Sequence, residues 1–366
     1  MSAVRTDRVS VPLRLARGVV HAVLPSGVDD PSAPSGGNVY GRRLCAALPG
    51  VGRAVAELLV EGDWPDPDAA ARDRLADALA SVADGADVLV DGLVACGVPD
   101  VVVPECRRLR IVVVVHLPLG DEHGLDAETA AWRSDREHAV LRAAHAVVVT
   151  SSWAAGRVTA LHELPIGRVH VAPPGVDPAP LAPVRADGSS LLALGAHTRT
   201  KGHDVLVDAL GALTDLRWTA RISGPWRDPG YAVALREAAG RLGDRVRVTG
   251  AITGDELDDV WSDTDLLVLP SRTETYGMVV TEALARGIPV LASATGGVPE
   301  TLGRAPGGGV PGLLVPPDDA VALAEVLRHW LTDANLRATA RQAAHARRSR
   351  LDGWDVTARL LDGVLS

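Results

Sequence analysis

The segment Pro270-Ser-Arg-Thr-Glu-Thr-Tyr-Gly-Met-Val-Val-Thr-Glu-Ala-Leu-Ala-Arg-Gly-Ile-Pro-Val-Leu-Ala-Ser293 contains a turn, a helix and a second strand. It follows the apolar run Leu266–Leu269, which is typical of a strand buried on both faces. A helix is predicted to begin near Gly277, and Gly-Ile-Pro-Val predicts a strand at 289–292. Strand, helix and strand in this order form a βαβ unit, so the segment predicts a parallel sheet.

The same alternation of short β-branched runs and longer Ala/Leu/Arg stretches extends along all 366 residues. Strands are predicted at 19–24, 54–60, 87–90, 111–115, 146–150, 169–172, 190–194, 218–223, 246–249, 266–269 and 289–292. Helices are predicted near 37–48, 66–83, 127–144, 151–163, 203–213, 229–242, 255–262, 277–286, 297–304 and in the tail from 318 onward. The pattern and the length predict two α/β domains.

Five prolines lie between Ala172 and Gly188. Because proline fixes φ and lacks an amide donor, this stretch is predicted to be a stiff linker. The boundaries that follow are an N-terminal domain at 1–172, a linker at 173–188, a C-terminal domain at 189–350, and a C-terminal helix at 351–366 that returns to the first domain.

The composition argues against two function classes. A net charge of −9 argues against a nucleic-acid-binding protein, which normally presents a basic face. No run of 18 or more apolar residues occurs, so no transmembrane helix is predicted. Pro12, Arg14 and Arg17 interrupt the N-terminal segment, so no signal peptide is predicted either. We therefore expect a cytoplasmic protein.

The three cysteines are Cys45, Cys96 and Cys106. Their number is odd and their spacing matches no metal-binding motif. They are interpreted as reduced, small core residues in a reducing compartment.

The turn before the helix at Gly277 is a predicted anion site. Ligands of parallel sheets bind at the carboxyl ends of the strands, where this turn lies. The amides of Gly277, Met278 and Val279 have no partner inside the helix, and the helix dipole favours negative charge there. Gly277 has no side chain, so a phosphate can approach its backbone closely.

Glu274 and Glu282 are eight residues apart around this helix start. A carboxylate accepts two hydrogen bonds at once, which suits the vicinal hydroxyls of a ribose or a hexose. A bare pair at this spacing is more often two solvent-exposed side chains. The strand, the turn glycine and the following strand favour a functional pair.

This segment resembles the donor-site motif of the retaining glycosyltransferases of family 4, which have the GT-B fold. That motif has two glutamates at the spacing of Glu274 and Glu282, Pro-Ser before them, and Glu-Ala and Gly-x-Pro-Val after them. Tyr276 replaces the usual Phe. The resemblance covers essentially the whole chain and is most specific between Ser190 and Glu300. It implies two Rossmann-like domains whose parallel sheets face a central cleft, with the acceptor on the first domain and the nucleotide sugar on the second.

Arg199 and Lys201 lie in the turn Gly195-Ala-His-Thr-Arg-Thr-Lys-Gly202. The resemblance implies that both bind the donor pyrophosphate. Arginine offers a bidentate fork and lysine a compact charge, which suits this role. Lys201 is the only lysine in the chain, which argues against a plain solvated turn.

The resemblance also implies roles outside these two motifs. Ala251 and Ile252 would lie against the nucleobase, although a plain strand end explains them almost as well. Gly36 and Gly37 would bring backbone amides to the donor phosphates or the acceptor, although a glycine pair before a helix is weak evidence alone. His116, at the carboxyl end of its strand, would contact the transferred sugar, and the alternative is a packed histidine.

The predicted function is retaining transfer of a hexose from a UDP- or GDP-sugar to an acceptor hydroxyl. The predicted catalytic residues are His116, Glu274, Arg199 and Lys201. No metal or other cofactor is expected, because the cations and the helix start would stabilise the leaving diphosphate. The alternatives are a nucleotide-sugar epimerase or hydrolase of the same fold, and a non-catalytic nucleotide-sugar-binding subunit. Arg107, Arg108 and Arg110 are weak evidence for peripheral membrane contact.

Overall fold

The structure is a computed structural model that describes residues 18–183, 185 and 187–366. The prediction that residues 1–17 contain no signal peptide lies outside the described residues. No described helix is both long enough and apolar enough to cross a membrane.

The first domain contains a six-stranded parallel sheet. Its strands are β1 (Val19–Pro25), β2 (Ala54–Val60), β3 (Asp87–Asp91), β4 (Arg110–Val115), β5 (Ala146–Val149) and β6 (Val169–Val171). Its helices are α1 (Gly36–Ala47), α2 (Ala69–Ala80), α3 (Gly92–Ala95), α4 (Pro99–Glu105), α5 (Ala127–Ala143) and α6 (Ser152–His162). The spatial order is β2-β1-β3-β4-β5-β6, so the order of the strands reverses between β1 and β3.

The second domain contains another six-stranded parallel sheet. Its strands are β7 (Ser190–Leu194), β8 (Thr219–Ser223), β9 (Val246–Thr249), β10 (Leu266–Leu269), β11 (Val290–Ser293) and β12 (Gly312–Val315). Its helices are α7 (His203–Gly211), α8 (Pro229–Gly240), α9 (Gly254–Ser262), α10 (Met278–Ala285), α11 (Val298–Leu302), α12 (Ala320–Thr332) and α13 (Ala334–Arg347). The order is β12-β11-β10-β7-β8-β9, so this sheet reverses between β7 and β10.

Two Rossmann-like α/β domains with parallel sheets confirm the predicted fold. The run Ile111–Val115 lies in the centre of its sheet and is buried, as its lack of polar residues predicted. Helices α3 and α4 were not predicted, because Pro99 and Pro104 interrupt a valine-rich stretch that lacks helical periodicity. Strand β12 was not predicted either, because its four residues lie between Pro311 and Pro316.

The last helix, α14 (Trp354–Val364), packs on the first domain. Trp354 meets the ring of Tyr40 edge-on at 5.8 Å between ring centroids. Arg53, which is buried, donates from Nε to Asp362 at 2.7 Å and from Nη2 to the carbonyl of Leu365 at 2.9 Å. The chain therefore crosses between the domains twice.

Candidate functional site

The switch point of the second sheet brings the two strongest sequence motifs together. The loops after β7 and β10 leave neighbouring strands at the carboxyl edge, where parallel sheets bind ligands. Lys201, from the first loop, donates from Nζ to Oε2 of Glu274, from the second, at 2.5 Å. These residues are 73 positions apart in sequence. The sequence predicted both as site residues, and the structure places their charged groups in contact.

Glycines hold Lys201 in place. Residues 199–201 form a 3-10 turn that ends at Gly202, whose φ of +64° is unfavourable for other residues. A Cβ on Gly202 would overlap the carbonyl of Pro270, so this turn and the β10 loop approach closely only because position 202 is glycine. The stem of Lys201 packs beside Gly195. The ammonium group is therefore directed toward the β10 loop.

The glycine pair Gly296-Gly297 supports the backbone of Glu274. The amide of Gly297 donates to the carbonyl of Glu274 at 2.9 Å. Gly296 has a φ of +55°, and a Cβ on it would overlap that same carbonyl. This pair therefore supports the loop that presents the Glu274 carboxylate.

Helix α10 begins beside this carboxylate, as the sequence predicted. Gly277 precedes it with a φ of +85°, and no described side chain caps the helix start. The first amides, around Met278 and Val279, therefore have no partner within the helix. Across the cleft, a Cβ on Gly36 of α1 would lie 3.6 Å from Sδ of Met278. Two helix starts, one from each domain, thus meet at the cleft.

Glu282 lies one turn into α10 and is partly buried. Burial raises the pKa of its carboxyl, Arg286 and Arg43 oppose the shift, and Asp177 adds to it. A carboxylate with a raised pKa is less well solvated than an exposed one, so it gains more from hydroxyl donors.

His116, at the carboxyl end of β4, faces the cleft from the first domain. Its Nε2 lies 3.4 Å from Oδ2 of the buried Asp91, and Tyr40 contacts the ring edge-on at 5.3 Å between centroids. A Cβ on Gly37 would lie 2.9 Å from Cδ2 of the imidazole, so glycine lets α1 approach the ring. Sequence reasoning missed Asp91, because a single Asp before a helix is also an ordinary cap, and Asp91 does accept from the amide of Leu93.

Hydrogen bonds join the domains around the cleft. The hydroxyl of Thr275 donates to the carbonyl of His116 at 2.5 Å, and the hydroxyl of Ser151 donates to the carbonyl of Thr275 at 2.5 Å. Glu300 accepts from the amide and the hydroxyl of Ser152, the first residue of α6. Thr275, the residue after Glu274, is thus hydrogen-bonded to the carboxyl end of β4, where the His116 imidazole lies.

Ala251 and Ile252 lie in the loop between β9 and α9 and are partly exposed. A Cβ on the preceding Gly250 would lie 3.1 Å from Nε1 of Trp226, which is 42% exposed. Trp226 stacks on the buried His197, with ring centroids 4.3 Å apart. Sequence reasoning missed this Trp–His stack at the carboxyl edge, because Trp226 lies outside the motifs and the turn motif at 195–202 does not indicate a role for its His197.

Arg199 lies in the same 3-10 turn as Lys201. Among the described residues, no hydrogen bond or ion pair joins its side chain to Glu274. Its exposed side chain instead lines an interdomain cavity with His123 and Gly124.

Two other groups of residues lie away from the cleft. Arg107, Arg108 and Arg110 line a surface pocket of about 360 Å³ at the amino end of β4, on the opposite edge of the first sheet. Membrane contact there stays a prediction. The described cysteines are free thiols, and no group of three or more metal-binding side chains occurs in the described part of the chain.

The fold places this chain among the GT-B proteins. It superimposes on sucrose-phosphate synthase from Thermosynechococcus elongatus with a TM-score of 0.76 at 24% identity, over 95% of this chain and 98% of the other. It also superimposes on Anabaena HepE in complex with UDP and glucose, with a TM-score of 0.73 at 17% identity, over 94% of this chain and 98% of that one.

Residues 184–347, which contain the whole second sheet, match the family model of glycosyl transferases group 1, in agreement with the resemblance seen in the sequence. The chain is 35% identical over 280 residues to D-inositol 3-phosphate glycosyltransferase 1 of Catenulispora acidiphila. It is 33% identical over 258 residues to the D-inositol 3-phosphate glycosyltransferase of Streptomyces avermitilis. These matches cover 70% and 64% of this chain, but only 64% and 54% of the relatives' lengths.

Proposed function

We propose that this protein is a glycosyltransferase that moves a hexose from a nucleoside diphosphate sugar to an acceptor hydroxyl, with retention at the anomeric carbon. The observation that carries the proposal is the contact of Lys201 with Glu274 beside the start of α10. A diphosphate is bound by a cation and by free backbone amides, and the hydroxyls of a sugar are bound by a group that accepts their hydrogen bonds. This arrangement offers all three within one loop cluster.

Each residue of the cluster has a role in the proposed reaction. Lys201 and the amides at Gly277 and Met278 stabilise the leaving diphosphate, where negative charge develops, and such preorganised donors often supply the largest part of a rate enhancement. Glu274 accepts from hydroxyls of the transferred sugar, and Glu282 from those of the ribose. The resemblance also implies a diphosphate role for Arg199, but the donor site proposed here does not include that residue, because its side chain lines a neighbouring cavity.

The first domain completes the site from the opposite side. His116 contacts the transferred sugar, and Gly36 and Gly37 present the start of α1. In the second domain, the backbone at Ala251 and Ile252 lies against the base. The hydrogen bonds of Thr275 and Ser151 hold the domains closed. Closure excludes water from the diphosphate sugar and so favours transfer over hydrolysis.

The names of similar proteins suggest which substrates to test first. The curated relatives are named for D-inositol 3-phosphate, and HepE was solved with UDP and with UDP-glucose. We therefore propose a UDP-sugar as donor and a phosphorylated polyol as acceptor. The cytoplasmic location expected from the sequence stays a prediction.

The test is turnover of UDP-glucose and of a GDP-hexose, with and without D-inositol 3-phosphate, followed by NMR of the products. We expect an α-linked product from an α-linked donor, at a rate unchanged by EDTA. A β-linked product would contradict retention. Free sugar or an epimer as the only product would support the hydrolase or epimerase, and binding without turnover across a broad acceptor panel would support a non-catalytic subunit.

The raised pKa of Glu282 predicts a pH dependence of donor affinity. The ionised carboxylate accepts hydroxyl hydrogens at both oxygens and more strongly than the protonated acid does. UDP affinity should therefore fall as the pH falls through the raised pKa, which lies above the ordinary 4.5. Hydrogen bonds to charged groups contribute about 1.5–3 kcal/mol, so Glu282→Gln should weaken UDP about tenfold near neutral pH. Calorimetry of both proteins between pH 5 and 8 measures this.

The same variant is the control for titration of UDP itself. In Glu282→Gln, the part of the pH dependence due to this carboxyl should disappear, whereas the part due to the phosphates should remain. Equal affinities of variant and parent at neutral pH would contradict a ribose role for Glu282.

A further inference from the structure

A cavity of about 550 Å³ lies at the junction of the two domains, and some of its lining residues are close in sequence to the proposed diphosphate site. It is lined by His123, Gly124, Arg199, Arg272, Pro317 and Asp318. The first two come from the loop after β4, and the others from loops at the carboxyl edge of the second sheet. Lys201 and Glu274 are not part of this lining, although each is close in sequence to a lining residue.

The loop that carries His123 is fixed against the second domain. Its backbone amide donates to Oγ1 of Thr200 at 3.3 Å, and its Nδ1 lies 3.3 Å from Oγ1 of Thr273. A Cβ on Gly124 would lie 3.8 Å from Cδ of Arg199, so the stem of that arginine packs along the loop. The cavity is therefore a built feature of the closed interface.

The two arginines of the cavity differ in how their charge is balanced. Arg272 donates to both carboxylate oxygens of Asp204, at 2.9 and 2.7 Å, and from Nε to Asp318 at 2.8 Å. Its charge is thus matched within the protein. Arg199 is exposed, and no described carboxylate pairs with it. Its guanidinium can still bind an anion, and its planar fork suits the oxygens of a phosphate.

Asp318 adds a second recognition group. Its φ of +59° lies in the left-handed region, which is uncommon outside glycine, and its carboxylate forms an ion pair with Arg272 at 2.7 Å. Its side chain remains 63% exposed, so its free lone pairs can accept from hydroxyls. The cavity thus contains the Arg199 guanidinium, which no described carboxylate pairs with, and the Asp318 carboxylate, which can accept hydrogen bonds from hydroxyls.

We propose that this cavity binds the acceptor, a polyol that carries a phosphate monoester, with Arg199 on the phosphate and Asp318 on a hydroxyl. The inference rests on the proposed function and gives Arg199 a different role from the diphosphate contact implied by the sequence resemblance. The donor phosphates would occupy Lys201 and the start of α10, and the acceptor would enter beside them from the His123 loop.

Arg199→Met tests this assignment, because methionine keeps an aliphatic stem beside Gly124 and removes the charge. Calorimetry with UDP already bound uses D-inositol 3-phosphate, inositol and inorganic phosphate as probes. We expect D-inositol 3-phosphate to bind the parent protein more tightly than either fragment. The variant should bind D-inositol 3-phosphate about tenfold to hundredfold more weakly than the parent does, and its affinity for UDP should stay within about twofold of the parent's.

Arg304→Met is the matched control, since Arg304 is also exposed and lies before β12, at the opposite edge of the sheet. It should bind every probe as the parent does. The inference is overturned if Arg199→Met loses UDP affinity, because Arg199 would then bind the donor diphosphate. It is also overturned if D-inositol 3-phosphate fails to bind the parent protein at millimolar concentration. Binding of inorganic phosphate as tightly as D-inositol 3-phosphate would also overturn it. Failure of the parent to bind UDP would instead refute the proposed function.

Discussion

Lys201→Ala should lower the affinity for UDP by about a hundredfold and leave the protein folded. The substitution removes the only ammonium group at the helix start and leaves the Glu274 carboxylate facing an anionic diphosphate, so a lost attraction and an added repulsion act together. A hundredfold loss corresponds to about 2.7 kcal/mol. Isothermal calorimetry with UDP measures it.

Binding of uridine and UMP shows which part of UDP accounts for this loss of affinity. Uridine carries no phosphate, so both proteins should bind it equally, whereas the loss should grow from UMP to UDP. The melting temperature should change by only a few degrees, because a partly exposed ion pair contributes about 1 kcal/mol or less. Unchanged UDP affinity, or an equal loss for uridine, would refute the diphosphate role.

The composition of the chain allows a second form of this test. Lys201 is the only lysine, so an amine-selective reagent has a single side-chain amine to modify. UDP should protect that amine from modification, and uridine should not. Equal labelling with and without UDP would place the ligand elsewhere.

The sequence predicted the parts of the site that depend on local patterns. A buried strand, a turn glycine and a helix start are each indicated by a short run of consecutive residues. Glu274, Gly277 and the strand that follows them could therefore be located from the sequence alone. Lys201 was located because its turn resembles a family motif and because it is the only lysine in the chain. The contact between Lys201 and Glu274 follows once β7 and β10 are neighbours, a consequence of sheet order that a single motif does not contain.

The parts that were missed depend on direction and distance. Arg199 and Lys201 are two residues apart in a tight turn, and the sequence does not indicate that their side chains diverge into different spaces. The contact of Asp91 with His116 joins two strand ends, and that of Arg53 with Asp362 spans 309 positions. Such pairs arise from tertiary packing, which periodicity and local propensity do not describe.

Gly296→Ala should have the largest effect on the fold of the site. A Cβ there would overlap the carbonyl of Glu274, and the φ of +55° is strained for alanine, so either the loop of Glu274 or that of Gly296 must move. Strain and overlap together cost about 2–4 kcal/mol, which should lower the melting temperature by about 5–10 °C. Displacement of the Glu274 carboxylate should also abolish most sugar transfer.

Gly243→Ala separates strain from overlap, because Gly243 has a similar φ of +64° and no atom within 4 Å of the added Cβ. It lies before β9, at the amino edge of the sheet, so it should lose some stability but keep its affinity for UDP-glucose and its turnover. Gly296→Ala should lose stability, affinity and turnover together, because the backbone it displaces carries the carboxylate that binds the sugar. Equal behaviour of the two variants would mean that the glycine pair does not support Glu274, and that the carboxylate is held by its contacts with Lys201 and Ser271.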